Sequence, residues 1–396
     1  MSNKYKLPFQ ILLLTFLFLG HEKGFAITYP KEGSFYPITE VPVHRPDYLK
    51  SYIDPLLSNK VTRVTDSAVF GMTNPRHDYS KTQTWSCDGR FIRIKNRLLD
   101  GTNYHIIRTI PFLDEAKWSS VNPHIIYGFY GKNRFAKLSI LNDKVTILHQ
   151  FKDYDEVRMG PWEGNLSWND QYVVFSARKK LDLIVILYNI KQNKIEKKRI
   201  FPKAWKQLDW VSISPSGKYI LFNWKPSPSA KDQVIDCYRK EITFLHRLTN
   251  QGCHGDMGYN TQGKEVYVQF EFGKHRGIWM YQLDTAMRTQ ILPDKYNGGH
   301  LSCRNIKRPG WAYMSCNKKG FREVFAVKLD GSGTVNRFAK HHSSFKAPSY
   351  ISESQASPSP DGSKVIFASD WTGESEVNSY IVESADQKPS SQSTNK

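Results

Sequence analysis

SISPSGKYILF (residues 212–222) opens on a polar lead, turns at Gly217 and runs into an alternating apolar strand. The same phrase recurs as TWSCDGRFIRI (84–94), SWNDQYVVF (167–175), YNTQGKEVYVQF (259–270) and SPSPDGSKVIF (357–367). Its turn residues Asp170, Gly217, Gly263 and Gly362 lie 47, 46 and 99 positions apart, the last interval spanning about two periods. A repeat of roughly 40 to 50 residues with short strands in each unit marks the blades of a β-propeller. RGIWMYQLD (276–284) and REVFAVKLD (322–330) read as third strands of such blades. Weaker copies fill the gaps around Trp118–Leu148 and His300–Ala339.

The count predicts an all-β chain, a seven-bladed propeller over residues 60–383. The last repeat lacks a fourth strand, and KVTRVT (60–65) is left over at the start. Pairing that N-terminal piece into the last blade closes the ring and removes its open edges. Residues 27–59 then form an N-terminal extension, in which helical periodicity is confined to Pro46–Leu57. The polar run 384–396 reads as a disordered tail.

Composition narrows the partners. The 396 residues carry 56 Lys and Arg against 37 Asp and Glu, a formal charge of +19. Such an excess favours polyanions. Lys4 and Lys6 precede the apolar run ILLLTFLFL (11–19), with Gly24 and Ala26 placed for cleavage, so 1–26 reads as a signal peptide. Its apolar core is too short for a stable span, and the protein is expected to be periplasmic or secreted. Acidic polysaccharide or oligosaccharide, rather than nucleic acid, becomes the leading partner. Five scattered cysteines exclude a disulfide scaffold.

In a propeller the segments that open each innermost strand ring one mouth of the central channel, and function is sought there. These segments hold His77, Lys81, Gln83, Glu163, Asp209, His254, Asp256, Tyr259, His300, Arg304, Glu353 and Gln355. Such a set suits β-elimination on a uronate. That reaction removes a weakly acidic proton α to a carboxylate, so a cation must neutralise the carboxylate and a base must take the proton. His254 is the candidate base, with Tyr259 beside it in the same segment and Arg304 and Lys81 as neutralisers. His77, Gln83, Glu163 and Asp256 are candidate substrate contacts. His300, Gln355 and Glu353 are candidate ligands for a divalent metal such as Mn, Ca or Zn. Cys253 and Cys303 beside the two histidines could add thiolates, form a disulfide or simply be buried. Trp85, Trp168 and Trp210 recur at matching positions and read as packing between blades; Trp162 and Trp311 are expected to be buried.

CHGDMGYNTQGKEVYVQFEFGKHRGIWMYQLD followed by NGGHLSCRN resembles the fifth and sixth blades of the oligogalacturonate lyases, and SQASPSPDGSKVIFASDW resembles their last blade. The resemblance implies a seven-bladed lyase that uses a divalent metal, with a catalytic histidine at His254 and a metal-binding one at His300. Gln355 and Glu353 stand where the family places further metal ligands. Propeller ulvan lyases share the architecture. The repeats also resemble the WD40-like propeller of TolB-type periplasmic proteins, which gives the alternative of a non-catalytic scaffold binding anionic glycan or protein. A propeller hydrolase would need a close carboxylate pair, for which Glu163, Asp209 and Asp256 are the candidates.

Overall fold

The computed structural model describes residues 32–34, 41–293, 298–318, 321–345, 350–373 and 376–385. The expected signal peptide and most of the expected tail lie outside them. The described strands form seven sheets arranged as a β-propeller, numbered here as blades one to seven in chain order. Their first described strands begin at Phe91, Asp114, Glu156, Leu208, Gly255, Gly299 and Ser357. Each sheet is antiparallel, with neighbouring strands joined by short hairpins.

The repeated phrase has a local cause. In four blades a serine at the end of the innermost strand accepts the amide hydrogen five residues on: Ser86 from Phe91, Ser167 from Tyr172, Ser214 from Tyr219 and Ser359 from Lys364, at 2.9–3.1 Å. The residue between them adopts a left-handed conformation, with φ of +81° at Gly89, +80° at Gly217 and +70° at Gly362. Glycine occupies that position because it reaches positive φ without steric cost. Asp170 fills the same place at φ +55°.

The inner strands are apolar on both faces because each sheet is sandwiched between two others, whereas an outer strand such as Lys194–Phe201 is mostly exposed. Val173, Phe175 and Ala177 pack towards blade two, while Tyr172 and Val174 pack towards blade four. The buried apolar residues divide into seven clusters, one at each junction between neighbouring blades. Trp85 and Trp210 sit in two of these junctions, 0% and 2% exposed, which bears out their packing role.

The ring closes as expected. Lys60–Arg63 pairs antiparallel with Asn378–Glu383, in the register Val61 to Val382 and Arg63 to Tyr380. Residues 46–57 are not helical: Ser51–Ile53 is a strand that pairs outside Lys60–Arg63. The unsatisfied edge of the closing strand outweighs the weak helical pattern there. Farther upstream, Glu32–Ser34 adds to the rim of blade six by pairing with Thr334–Lys340.

One segment organises the centre. Residues 77–83, which open blade one, touch all six other blades. Thr82 accepts from Lys117, Lys81 pairs with Glu163 and lies over the Trp210 ring, and Tyr79 bonds His254. Ser80 and Gln83 donate to the carbonyls of Leu301 and Arg304, and His77 bonds Ser379 and the carbonyl of Gln355. The segment thereby ties the seven blades to one another.

Candidate active site

His254 and His300 stand side by side because they open adjacent innermost strands. Glycines make this placement possible. A Cβ on Gly299, at φ +132°, would lie 1.8 Å from the Ser315 carbonyl oxygen. A Cβ on Gly255 would lie 2.5 Å from the Tyr267 hydroxyl, which donates to the Cys253 carbonyl. The two imidazole centroids are 4.7 Å apart.

Tyr79 completes the group. Its hydroxyl is 2.7 Å from His254 Nδ1, and its ring meets His300 edge-on at 5.2 Å. His300 is 1% exposed and bonds Glu353 through Nε2. His254 is open to solvent on its outer side. Its inner side loses hydration, and this, followed by the proximity of His300, pushes its pKa down to about 4. The ring is therefore neutral at neutral pH, the form a base requires. Burial, reinforced by Glu163, holds the Tyr79 hydroxyl well above the usual tyrosine range, so it stays protonated.

Burial alone would raise the Glu353 carboxyl. The His300 hydrogen bond, with the electrostatic influence of the neighbouring His300, His254 and Arg76 side chains, outweighs it and holds that carboxyl below the ordinary range.

Behind Tyr79 lies a cleft of 440 Å³, lined in part by Arg76, Asp78, Phe112, Lys117, Trp162 and Tyr350. His254 is outside that lining and meets the cleft only through Tyr79. Trp162 is 55% exposed, contrary to the burial expected for it. Its backbone takes φ +58°, held by an N–H bond to Glu115 and a carbonyl bond from Lys117. A non-glycine residue in that conformation persists only where its surroundings hold it. Phe112 and Tyr350 are also exposed on the cleft wall.

Lys81, Glu163, His254, His300 and Glu353 are gathered at this centre. Lys81 Nζ lies 2.6 Å from Glu163 and 3.9 Å from the Trp210 ring centroid. Asp209 lies near the same pair: burial, then the Glu163 charge, raises its carboxyl, and Lys81 opposes this.

Other candidates are committed elsewhere. Arg304 and Asp256 form a buried bidentate pair at 3.0 Å, and Asp256 also accepts from the Cys303 amide. Arg304 is thus spent on a structural carboxylate instead of a substrate one, and Asp256 leaves the carboxylate-pair reading. Gln83 uses both ends of its amide, on the Arg304 carbonyl and the Trp85 amide. His77 has both ring nitrogens bonded, and burial lowers its pKa to about 3, so it serves as a clasp to blade seven. Tyr259 ends the strand Gly255–Tyr259, about 17 Å from His254 at the usual strand rise, and packs on Trp168.

The expected metal ligands do not assemble. No three His, Cys, Asp or Glu side chains converge for an ion among the described residues. His300 and Glu353 meet, but Gln355, at φ +45°, offers its backbone carbonyl to His77. Two donors fall short of a protein-held site. All five cysteines are free. Burial raises the Cys253 thiol to about 11 and Cys303 well above its ordinary value, so neither is a ready thiolate.

Tyr79 was missed as a site residue although RHDYSKTQ contains its signal. The signal is its place two residues from His77 and two from Lys81, before the turn closed by the Thr82 amide on the Tyr79 carbonyl.

No family model and no curated protein sequence matches the chain. Among solved structures, it matches an oligogalacturonate lyase from Vibrio parahaemolyticus with a TM-score of 0.62 and 13% identity, over 84% of this chain and 96% of that one. It matches an oligogalacturonate lyase in complex with manganese with a TM-score of 0.62 and 14% identity, over 84% and 95%. The fold resembles that of the oligogalacturonate lyases. A chain of a mitotic checkpoint complex also matches, with a TM-score of 0.53 and 11% identity over 87% and 98%. Likeness at this level speaks for architecture, and the site must argue the chemistry.

Proposed function

We propose that the chain is an exported lyase that cleaves a uronate-containing glycan by β-elimination, with His254 as the base. The observation that carries this reading is a neutral, solvent-facing His254 bonded to a protonated Tyr79, beside a cleft with cations and exposed aromatic rings. The fold shared with oligogalacturonate lyases supports it.

The chemistry follows from the tautomer. With its hydrogen on Nδ1, His254 donates to the Tyr79 oxygen and keeps a lone pair on Nε2. Nε2 takes the proton α to the uronate carboxylate, and the electron pair moves onto the carboxylate, where cations must balance it. The bond from the β carbon to the glycosidic oxygen then breaks, and a double bond forms within the ring. The Tyr79 hydroxyl hydrogen passes to the departing oxygen. The Nδ1 hydrogen of the imidazolium then returns to Tyr79, so both groups end neutral.

The test is absorbance of the unsaturated uronate product, with pectate, oligogalacturonate, ulvan, alginate and glycosaminoglycans as substrates and with and without Mn, Ca or Zn. His254→Ala should lower turnover by about 10²- to 10⁴-fold, the usual contribution of a positioned base. Undiminished turnover in a folded variant removes His254 from the role. A second reading is a non-catalytic propeller that binds anionic glycan, favoured by the capping of His300 with Glu353. It predicts salt-sensitive binding without product on any substrate.

A further inference from the structure

Most cations near the mouth already have a carboxylate partner. Lys81 has Glu163, Arg93 has Asp78 and Arg304 has Asp256. Two that line the 440 Å³ cleft have none within ion-pair distance among the described residues: Lys117 and Arg76. Lys117 is 4% exposed, and its ammonium donates only to neutral oxygens, Thr82 Oγ1 at 2.7 Å and the Trp162 carbonyl at 2.9 Å. Glu115, two residues away, spends its carboxylate on the amides of Met159 and Trp162. Arg76 donates to the carbonyls of Tyr350 and Ile351.

An ammonium carries three hydrogens, so one of Lys117's is left over. A buried cation balanced only by more distant charges is stabilised by an anion that enters beside it. Burial has already pushed the Lys117 pKa down to about 8. The cleft wall carries exposed rings, Phe112 at 58% and Trp162 and Tyr350 each at 55%. The carboxylates that also line it, Asp78, Asp114 and Glu115, are held by Arg93, Arg158 and the Met159 and Trp162 amides. Flat aromatic faces next to a charged hydrogen-bond donor suit a sugar ring that bears an anionic substituent.

The geometry points to an anionic-sugar subsite in this cleft, where Lys117 holds the carboxylate or sulfate ester, Arg76 supplies a second positive charge, and Trp162 and Phe112 pack on the sugar face. The ligand class rests on the proposed glycan reading. The subsite itself adjoins Tyr79 and takes a sugar next to the one that reacts, so Lys117 is a positioning residue.

Isothermal titration calorimetry tests this with trisaccharides of galacturonate, a glucuronate-containing trisaccharide, a sulfated galactan trisaccharide and neutral galactotriose. At least one acidic probe should bind, more weakly as salt rises, and the neutral one should bind at least tenfold more weakly. Whether a uronate or the sulfated probe binds identifies the anion. Lys117→Met should weaken acidic binding tenfold or more, with a KM rise that exceeds any fall in kcat. Trp162→Ala should weaken it severalfold.

Failure of every acidic probe, equal binding of the neutral one, or wild-type affinity in a folded Lys117→Met overturns the subsite. If Lys117→Met does not fold, unchanged affinity in Trp162→Ala overturns it instead. The lyase reading fails separately: Lys117-dependent binding without unsaturated product leaves the subsite standing and removes the reaction.

Discussion

His254 shows how one side chain acquires a working state from its neighbours. An exposed histidine titrates near pH 6.5, but here lost hydration and His300 lower the pKa to about 4. The base must be unprotonated, so the sign is fixed: kcat/KM should rise as pH climbs through about 4 and show no limb from this group above it. A pH–rate profile with its acid limb near 6.5 would contradict the assignment. Tyr79→Phe keeps the ring contacts with His300 and removes only the hydroxyl. It should cost about tenfold to a thousandfold in kcat while leaving the melting temperature nearly unchanged, as steady-state kinetics and thermal unfolding would show. Both histidines were legible in the sequence because they open two adjacent repeats at the same position. Tyr79's partnership was not, because His254 lies 175 positions away and only the closed ring brings them together.

Among the elements, the innermost strands of blades five and six are locked by Asp256 and Arg304. The two charges are buried and satisfy each other through paired hydrogen bonds. Removing one partner strands the other, and Arg304→Met should destabilise the fold by about 3 to 5 kcal/mol. Chemical denaturation would read this as a lower midpoint, and the double variant Asp256→Leu, Arg304→Met should recover part of the loss. Acidic and basic residues at a channel mouth looked like catalytic groups in the sequence, where charge type and position were visible but pairing was not. The hairpin turns were legible for the opposite reason. Ser214 and Gly217 act on residues within five positions of themselves, so their meaning is contained in the local run.

For the molecule as a whole, closure depends on four residues. Lys60–Arg63 supplies the strand that covers Asn378–Glu383, with Val61 fully buried at the junction of blades six and seven. Val61→Pro removes a ladder donor and empties part of that junction, which should cost about 3 kcal/mol or more. It should also expose the Asn378–Glu383 edge, and a lower melting temperature with concentration-dependent aggregation in light scattering would show this. An unchanged melting temperature would mean that the clasp contributes little to stability. The central segment acts at the same scale. Residues 77–83 contact every other blade, so one crossing segment ties the seven blades together at the centre.

The sequence by itself determined the propeller, the number of blades, the clasp and the meeting of His254 with His300. Repeats report these directly, since each unit carries its own turn and its own two apolar faces. The tertiary structure alone decided which polar side chains remain available. Arg304, Asp256, His77 and Gln83 are consumed by partners far along the chain, while among the described residues Lys117 has no carboxylate within ion-pair distance and Tyr79 is carried across to His254. The physical reason is that burial and ion pairing are properties of the closed ring, in which seven blades and one crossing segment compete for the same few charges.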